Sequence, residues 1–190
     1  MNPLAFGVAL WVSLGLEWGL RDALELGSTG IAPRFAVVLL VFVCLWSSVR
    51  AGVIASLAVG VCLDLLYTVP AGGQSVVVLG PHALGCLLAG AFALNVRAVI
   101  FRRNVLAVAV VVLVAAALVE IVATAALTVR AMYDPIGTAG PLERLLVGLG
   151  SAGYTAVVGI AYAWVLGLFR GVFGFPFDTK QGFRIQSGGR

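Results

Sequence analysis

Six apolar segments constrain the fold of this chain more than any other feature. They cover about residues 3–20, 33–47, 51–67, 75–97, 105–129 and 145–169. A membrane-spanning helix needs about 20 mainly apolar residues, and in lipid only helices and closed barrels satisfy their own backbone. The period-two alternation that is typical of a barrel is missing. We therefore predict an all-α integral membrane protein with a bundle of six transmembrane helices.

The composition excludes a water-soluble globule. Hydrophobic residues make up 62% of the chain and charged residues only 11%, against about 45–50% and about 25% in soluble domains. We predict one transmembrane domain over residues 1–172 and a short basic and aromatic tail over 173–190, which suits the cytoplasmic interface. The net charge is +4, but the basic residues are scattered between apolar segments, so binding of nucleic acid is not expected.

The basic residues between the segments predict the orientation. Assigning successive connections to alternate sides places eight basic residues on one side and four on the other. The eight are Arg50, Arg97, Arg102, Arg103, Arg170, Lys180, Arg184 and Arg190, and the four are Arg21, Arg34, Arg130 and Arg144. Because basic residues are enriched on the cytoplasmic side, we expect both termini to lie in the cytoplasm.

The third segment carries a stripe of small residues that ends in an acidic one. Gly52, Ser56, Gly60 and Asp64 lie four residues apart, so they share one face of a helix. Small residues in a membrane helix let a neighbouring backbone approach closely. The stripe therefore predicts a contact between helices, with Asp64 at its outer end.

The residues that follow this segment predict a turn. Pro70 and Gly73 follow Asp64 within a short distance along the chain, and proline and glycine stop helices and reverse the chain. We include both among the candidates for helix packing or partner contact.

Asp64 has two competing interpretations. A carboxylate within a span costs roughly 3 kcal/mol on insertion scales, so it usually faces protein. Packing or capping of a helix is the favoured role, and contact with a partner protein or a ligand is the alternative. If Asp64 only packs or caps, Asp64→Asn should be tolerated, because the amide is isosteric.

Glu120 is the second candidate, within the fifth segment. Together with Glu17 and Asp64, it places three carboxylates in the outer half of the predicted spans. Because solvation is difficult at this depth, we predict an interior structural pairing. Its candidate partners are His82 and Arg130.

The remaining chemical signals do not predict catalysis. Cys44, Cys62 and Cys86 lie in apolar segments, and we expect them to be small buried hydrophobic residues. The glycines of the run GLGSAG at 148–153 match a dinucleotide fingerprint, but that motif requires a strand before a helix. Ser151 lacks the spacing of a nucleophile elbow. We expect no enzyme, no cofactor and no metal site.

The third segment and its surroundings resemble the bacterial rod shape-determining protein MreD family. The residues that carry the resemblance are Ile31, Ala32 and Pro33 before the second segment, Gly60, Asp64, Leu65, Leu66, Pro70, Gly72 and Gly73, and the basic connection with Arg97, Arg102 and Arg103. Glu120 has no counterpart in the family pattern, and the turn over 68–75 is longer than usual.

The resemblance implies a non-catalytic scaffold of the cell-elongation complex in the bacterial inner membrane. Such a protein would bind MreC, a single-span membrane protein, act with other membrane proteins of that complex, and help couple the MreB cytoskeleton to peptidoglycan synthesis. A small-molecule ligand is not expected. The six-helix arrangement is also similar to the substrate-binding subunits of energy-coupling-factor vitamin transporters, which supplies the alternative function.

Overall fold

The computed structural model describes residues 2–71, 74–98, 105–133 and 140–174, and most of these residues are helical. In chain order the elements are α1 (Pro3–Gly19), α2 (Arg21–Leu24), α3 (Phe35–Trp46), α4 (Val49–Leu66), β1 (Thr68–Ala71), β2 (Gln74–Val77), α5 (Pro81–Val96), α6 (Val105–Ala131) and α7 (Pro141–Leu168). Each of the six longer helices overlaps one apolar segment of the sequence.

The longer helices differ in their ability to cross a membrane. Among the described residues, α4, α6 and α7 are long and apolar enough to span a bilayer. α1, α3 and α5 are apolar but have only 17, 12 and 16 residues. At a rise of about 1.5 Å per residue, α3 covers about 18 Å of a hydrocarbon core that is about 30 Å thick. Six membrane spans therefore stay a prediction.

α3 lies at the centre of the fold. Every residue from Phe35 to Leu45 is buried, and the helix contacts α1, α4, α5, α6 and α7. A helix that is apolar on every side is typical of a fully enclosed position, and the run FAVVLLVFVCLW supplies such a helix. Because protein surrounds α3 on its sides, a length of 12 residues is compatible with this position.

α4 and α5 approach each other closely because small residues lie on both. A Cβ atom added to Gly60 would lie only 2.5 Å from the Cα of Ala83. Further along, the side chain of Ser56 fills the space beside Gly90, where an added Cβ would overlap its hydroxyl. The backbones of the two helices can therefore pack at a distance that larger side chains would prevent.

A two-stranded hairpin precedes α5 and corrects the predicted fourth span. β1 and β2 pair antiparallel, with Thr68 opposite Val77. α5 begins at Pro81 rather than at residue 75. Gly80 has a φ of 123°, which residues with a side chain rarely adopt, and the fixed φ of proline suits the first position of a helix. The prediction of a helix from residue 75 was therefore wrong.

We predict that Gly60→Ala destabilises the protein and that Gly15→Ala does not. The new Cβ at position 60 would collide with the backbone of Ala83, which cannot move aside as a side chain can. No atom lies within 4 Å of a Cβ added at Gly15, which is exposed in α1, and alanine is the better helix former. The measurement is the thermal midpoint of unfolding in detergent. Equal midpoints for the two variants would contradict this account.

Candidate functional site

Polar side chains from all six longer helices and their flanks meet at one end of the fold, where α4 ends and α5 begins. We call this group the polar cluster. It consists of Glu17, Arg34, Asp64, Tyr67, His82, Glu120, Ser151 and Thr155. All are buried except Arg34 and Tyr67, which are half-buried. Within an apolar protein, such a group is the first candidate for a functional site.

Asp64 caps the N-terminus of α5 from the neighbouring helix. Its carboxylate accepts hydrogen bonds from the backbone N–H groups of Gly80 at 2.7 Å, His82 at 2.8 Å and Ala83 at 3.1 Å. The first N–H groups of a helix have no partner within it, and the helix dipole favours a negative charge there. The stripe on α4 thus ends in a cap for α5.

The same carboxylate has no exposed atom for a partner protein. The Nδ1 atom of the His82 ring lies 3.0 Å from Oδ1 of Asp64, and the Asp64 side chain is 0% exposed. Both carboxylate oxygens already accept backbone N–H groups. In this conformation Asp64 contributes to the contact between α4 and α5 and does not reach the surface.

The other candidates from this part of the sequence lie in different environments. Gly52 faces α5, where an added Cβ would lie 3.0 Å from the side chain of Leu94. The Ser56 hydroxyl donates a hydrogen bond to the carbonyl oxygen of Gly52 at 2.8 Å. Pro70 is exposed in β1. Gly73 lies outside the described residues.

Glu120 pairs with Arg34, which the sequence did not suggest. The Nε atom of Arg34 lies 2.7 Å from Oε1 of Glu120. The predicted partners, His82 and Arg130, were therefore wrong. Arg34 comes from the segment before α3 and Glu120 from the middle of α6, so only the packing of these helices brings the two charges together.

α7 makes room for this ion pair and adds a hydroxyl group beside it. A Cβ at Gly148 would lie 2.8 Å from Oε2 of Glu120, so the first glycine of the fingerprint-like run has a packing role. The Ser151 hydroxyl accepts a hydrogen bond from the backbone N–H of Ala32 at 3.3 Å. Gly148 therefore lies against the ion pair, and Ser151 lies against the segment before α3.

The backbone N–H groups at the start of α3 donate hydrogen bonds to side chains of two other helices. The backbone N–H of Ala36 donates to Oε2 of Glu17 at 3.1 Å, and the backbone N–H of Arg34 donates to the Thr155 hydroxyl at 2.9 Å. These N–H groups belong to the first turn of a helix or precede it, where no intrahelical partner exists. α1 and α7 therefore both stabilise the same helix end.

Within the polar cluster, Tyr67 contacts Glu17, His82 and Arg34 and so connects them. Its hydroxyl donates to Oε1 of Glu17 at 2.6 Å, and its ring stacks on the ring of His82 with centroids 5.5 Å apart. The guanidinium of Arg34 lies 4.9 Å from the ring centroid on Tyr67, within the range of a cation–π contact. Sequence reasoning did not place Tyr67, Arg34 or Thr155 in a site, because their contacts join distant parts of the chain.

A partly open cavity of about 340 Å³ lies beside the polar cluster. Its charged lining residues are Arg21, Arg34, Glu120, Glu143 and Arg144. The volume falls at the low end of the range of small-molecule sites, roughly 300–1,000 Å³. The cavity therefore offers a recess with charges of both signs at the polar end of the fold.

Buried polar atoms beside this cavity keep some hydrogen-bonding capacity. Within the described ranges, Nη1 of Arg34 and the hydroxyl oxygen of Thr124 have no hydrogen-bond partner. Oε1 of Glu120 meets Arg34 as an ion pair but lacks a well-aligned hydrogen bond. A buried polar atom without a partner costs about 1–3 kcal/mol, so a polar group that enters the cavity would gain from meeting these atoms.

The described part of the chain does not assemble a metal centre. No three residues among its His, Cys, Asp and Glu side chains are close enough to hold a metal ion. Cys44 and Cys86 are buried, Cys62 is half-buried, and all three are free thiols.

The sequence model of a family described as rod shape-determining protein MreD matches residues 4–135. This range contains Asp64, His82 and Glu120 together with the stripe on α4. The chain belongs to the MreD family. A member of this family is a membrane protein with a role in rod shape determination. No curated protein and no solved structure matches the chain, so the likeness to transporter subunits stays a prediction.

We predict that Asp64→Asn destabilises this MreD protein, contrary to the expectation from sequence. Asparagine offers one acceptor oxygen, and its NH₂ group would face backbone N–H groups that now donate to the second carboxylate oxygen. The expected loss is about 2–3 kcal/mol of unfolding free energy. The measurement is unfolding by titration with sodium dodecyl sulfate, with Asp22→Asn in exposed α2 as the matched control. Wild-type stability of Asp64→Asn would refute the capping role.

We also predict strong coupling between Arg34 and Glu120. Removing one partner leaves a buried charge without compensation, so Arg34→Met and Glu120→Met should each cost about 3–5 kcal/mol. The double variant should lose much less than the sum of the two single losses. A double-mutant cycle on unfolding free energies tests this, and strictly additive losses would show that the two side chains do not interact.

Proposed function

We propose that this chain is a non-catalytic scaffold of the bacterial cell-elongation complex that binds MreC and helps couple the MreB cytoskeleton to peptidoglycan synthesis. Membership of the MreD family supports the role in rod shape. The single observation that supports a binding role is the open, charged cavity beside the polar cluster. Other membrane proteins of the same complex are further partners in this proposal.

The proposed topology is a single domain over residues 1–172 with six spans in the inner membrane and a cytoplasmic tail over 173–190. The bias of eight basic residues to four supports cytoplasmic termini. In this orientation the polar cluster and the cavity lie in the outer half of the membrane and open outward. The short central helix α3 would cross the membrane inside a shell formed by the other helices.

The cavity is the surface that we assign to the partner. In this proposal the partner is a single-span membrane protein, and polar residues next to its transmembrane helix would lie at the depth where this cavity opens. Arg144 borders the cavity and is half-buried, and within the described residues it forms no ion pair. A guanidinium in this position can form charge-assisted hydrogen bonds to acidic or carbonyl groups of a partner.

The transporter alternative has no support from the comparisons. A transporter subunit would need an outward-facing cavity, and the polar residues of the predicted outer half that could line it are Glu17, Asp64, His82 and Glu120. His82 and Glu120 do line the cavity, but Asp64 is enclosed by its contacts with α5 and Glu17 binds Tyr67. Two of the four residues expected to contact a ligand therefore do not line this cavity.

We predict that Arg144→Glu weakens binding of MreC. The substitution reverses a charge at the cavity rim, and repulsion at a recognition surface typically costs several kcal/mol. The measurement is the amount of MreC that co-purifies with the tagged full chain in a mild detergent, and a loss of at least about ten-fold is expected.

The matched control is Arg50→Glu, which makes the same charge change at the exposed start of α4, away from the cavity. It should retain MreC at the wild-type level. Failure of the wild-type chain to recover MreC in several mild detergents would contradict the proposed function. Equal recovery by both variants would contradict the assignment of the cavity.

A further inference from the structure

An apolar groove lies between helices at the end of the fold opposite the polar cluster. It has a volume of about 570 Å³ and is walled by α3, α6 and the last turns of α7. Val108 and Ala161 contribute to its apolar walls, and Trp46 and Trp164 also line it. Tryptophan is enriched where the hydrocarbon core meets the headgroups, so this groove has the features of a membrane interface.

Arg170 supplies a positive charge at this groove. It follows α7 and lines the groove together with Trp46. The Cζ atom of Arg170 lies 3.6 Å from the centroid of the Trp46 ring and 6.0 Å from that of Phe42. Among the described residues, both salt bridges lie at the polar cluster, so no described carboxylate neutralises this guanidinium.

The stacking geometry leaves Arg170 able to bind an anion. A guanidinium that lies over an aromatic ring contacts the ring with its flat face, whereas its N–H donors lie along its edge and stay available. These edge donors match the oxygens of a phosphate group.

We propose that this groove binds an anionic phospholipid, with an acyl chain along the apolar walls and the phosphate on Arg170. The apolar walls and the guanidinium of Arg170 match the two parts of such a molecule. Basic pockets between transmembrane helices are known to bind lipid headgroups of this kind. A free phosphate ion would use the cation but gain nothing from the walls, so the lipid is the occupant that both features favour.

The experiment measures lipids retained by the full chain in detergent. Phosphatidylglycerol and phosphatidylcholine with identical acyl chains are added in equal amounts, and native mass spectrometry counts the lipids bound. The wild-type chain should retain phosphatidylglycerol preferentially. Arg170→Gln should lower its retention about five-fold, the effect expected from one basic residue at a membrane surface.

Two further variants separate charge from shape. Arg50→Gln makes the same charge change at the exposed start of α4 and should retain the lipid as the wild type does. Ala161→Phe fills the groove from an exposed position and should lower retention while the charge at Arg170 remains. Elution volume and circular dichroism establish that each variant is folded.

Three results would overturn the proposal. The first is equal retention of the two lipids by the wild-type chain, because binding would then not depend on the negative charge of the headgroup. The second is wild-type retention by Arg170→Gln. The third is full displacement of phosphatidylglycerol by millimolar inorganic phosphate, which would identify a site for a free anion rather than for a lipid.

Discussion

The start of α3 lies largely inside the protein, and its polar groups must find partners there because little solvent reaches them. The backbone N–H of Ala36 binds Glu17, and the Arg34 side chain pairs with Glu120. Buried charges and N–H groups without partners would each cost kilocalories per mole. Residues from α1, α6 and α7 therefore converge on this point, and this part of the polar cluster follows from the burial of one apolar helix.

The contact between α4 and α5 also provides a partner for buried N–H groups, here those at the start of α5. Gly60 lets the backbone of α5 approach, and Asp64, one turn later, accepts the N–H groups that this approach brings within reach. The two residues work as a unit, since a larger residue at position 60 would move α5 away from the carboxylate. This local unit, glycine followed four residues later by aspartate, lies in the segment that first suggested the MreD family.

Features set by local spacing could be predicted from the sequence, and features set by packing could not. Periodicity alone placed Gly52, Ser56, Gly60 and Asp64 on one helix face, and the structure places that face against α5. The prediction of a partner for Glu120 was wrong because its actual partner, Arg34, is remote along the chain. The geometry replaces the tolerance expected for Asp64→Asn with a prediction of destabilisation, because the number of N–H donors around each carboxylate oxygen depends on the start of α5.

The two ends of the fold differ in a way that fits a scaffold in a membrane. The polar end offers a cavity with charges of both signs, and the opposite end offers an apolar groove that the guanidinium of Arg170 lines. The central claim is that the cavity receives the partner. A structure of the full chain bound to MreC tests it most directly: we predict a segment of MreC inside the cavity, in contact with Arg144. MreC bound elsewhere, with the cavity residues untouched, would contradict the account.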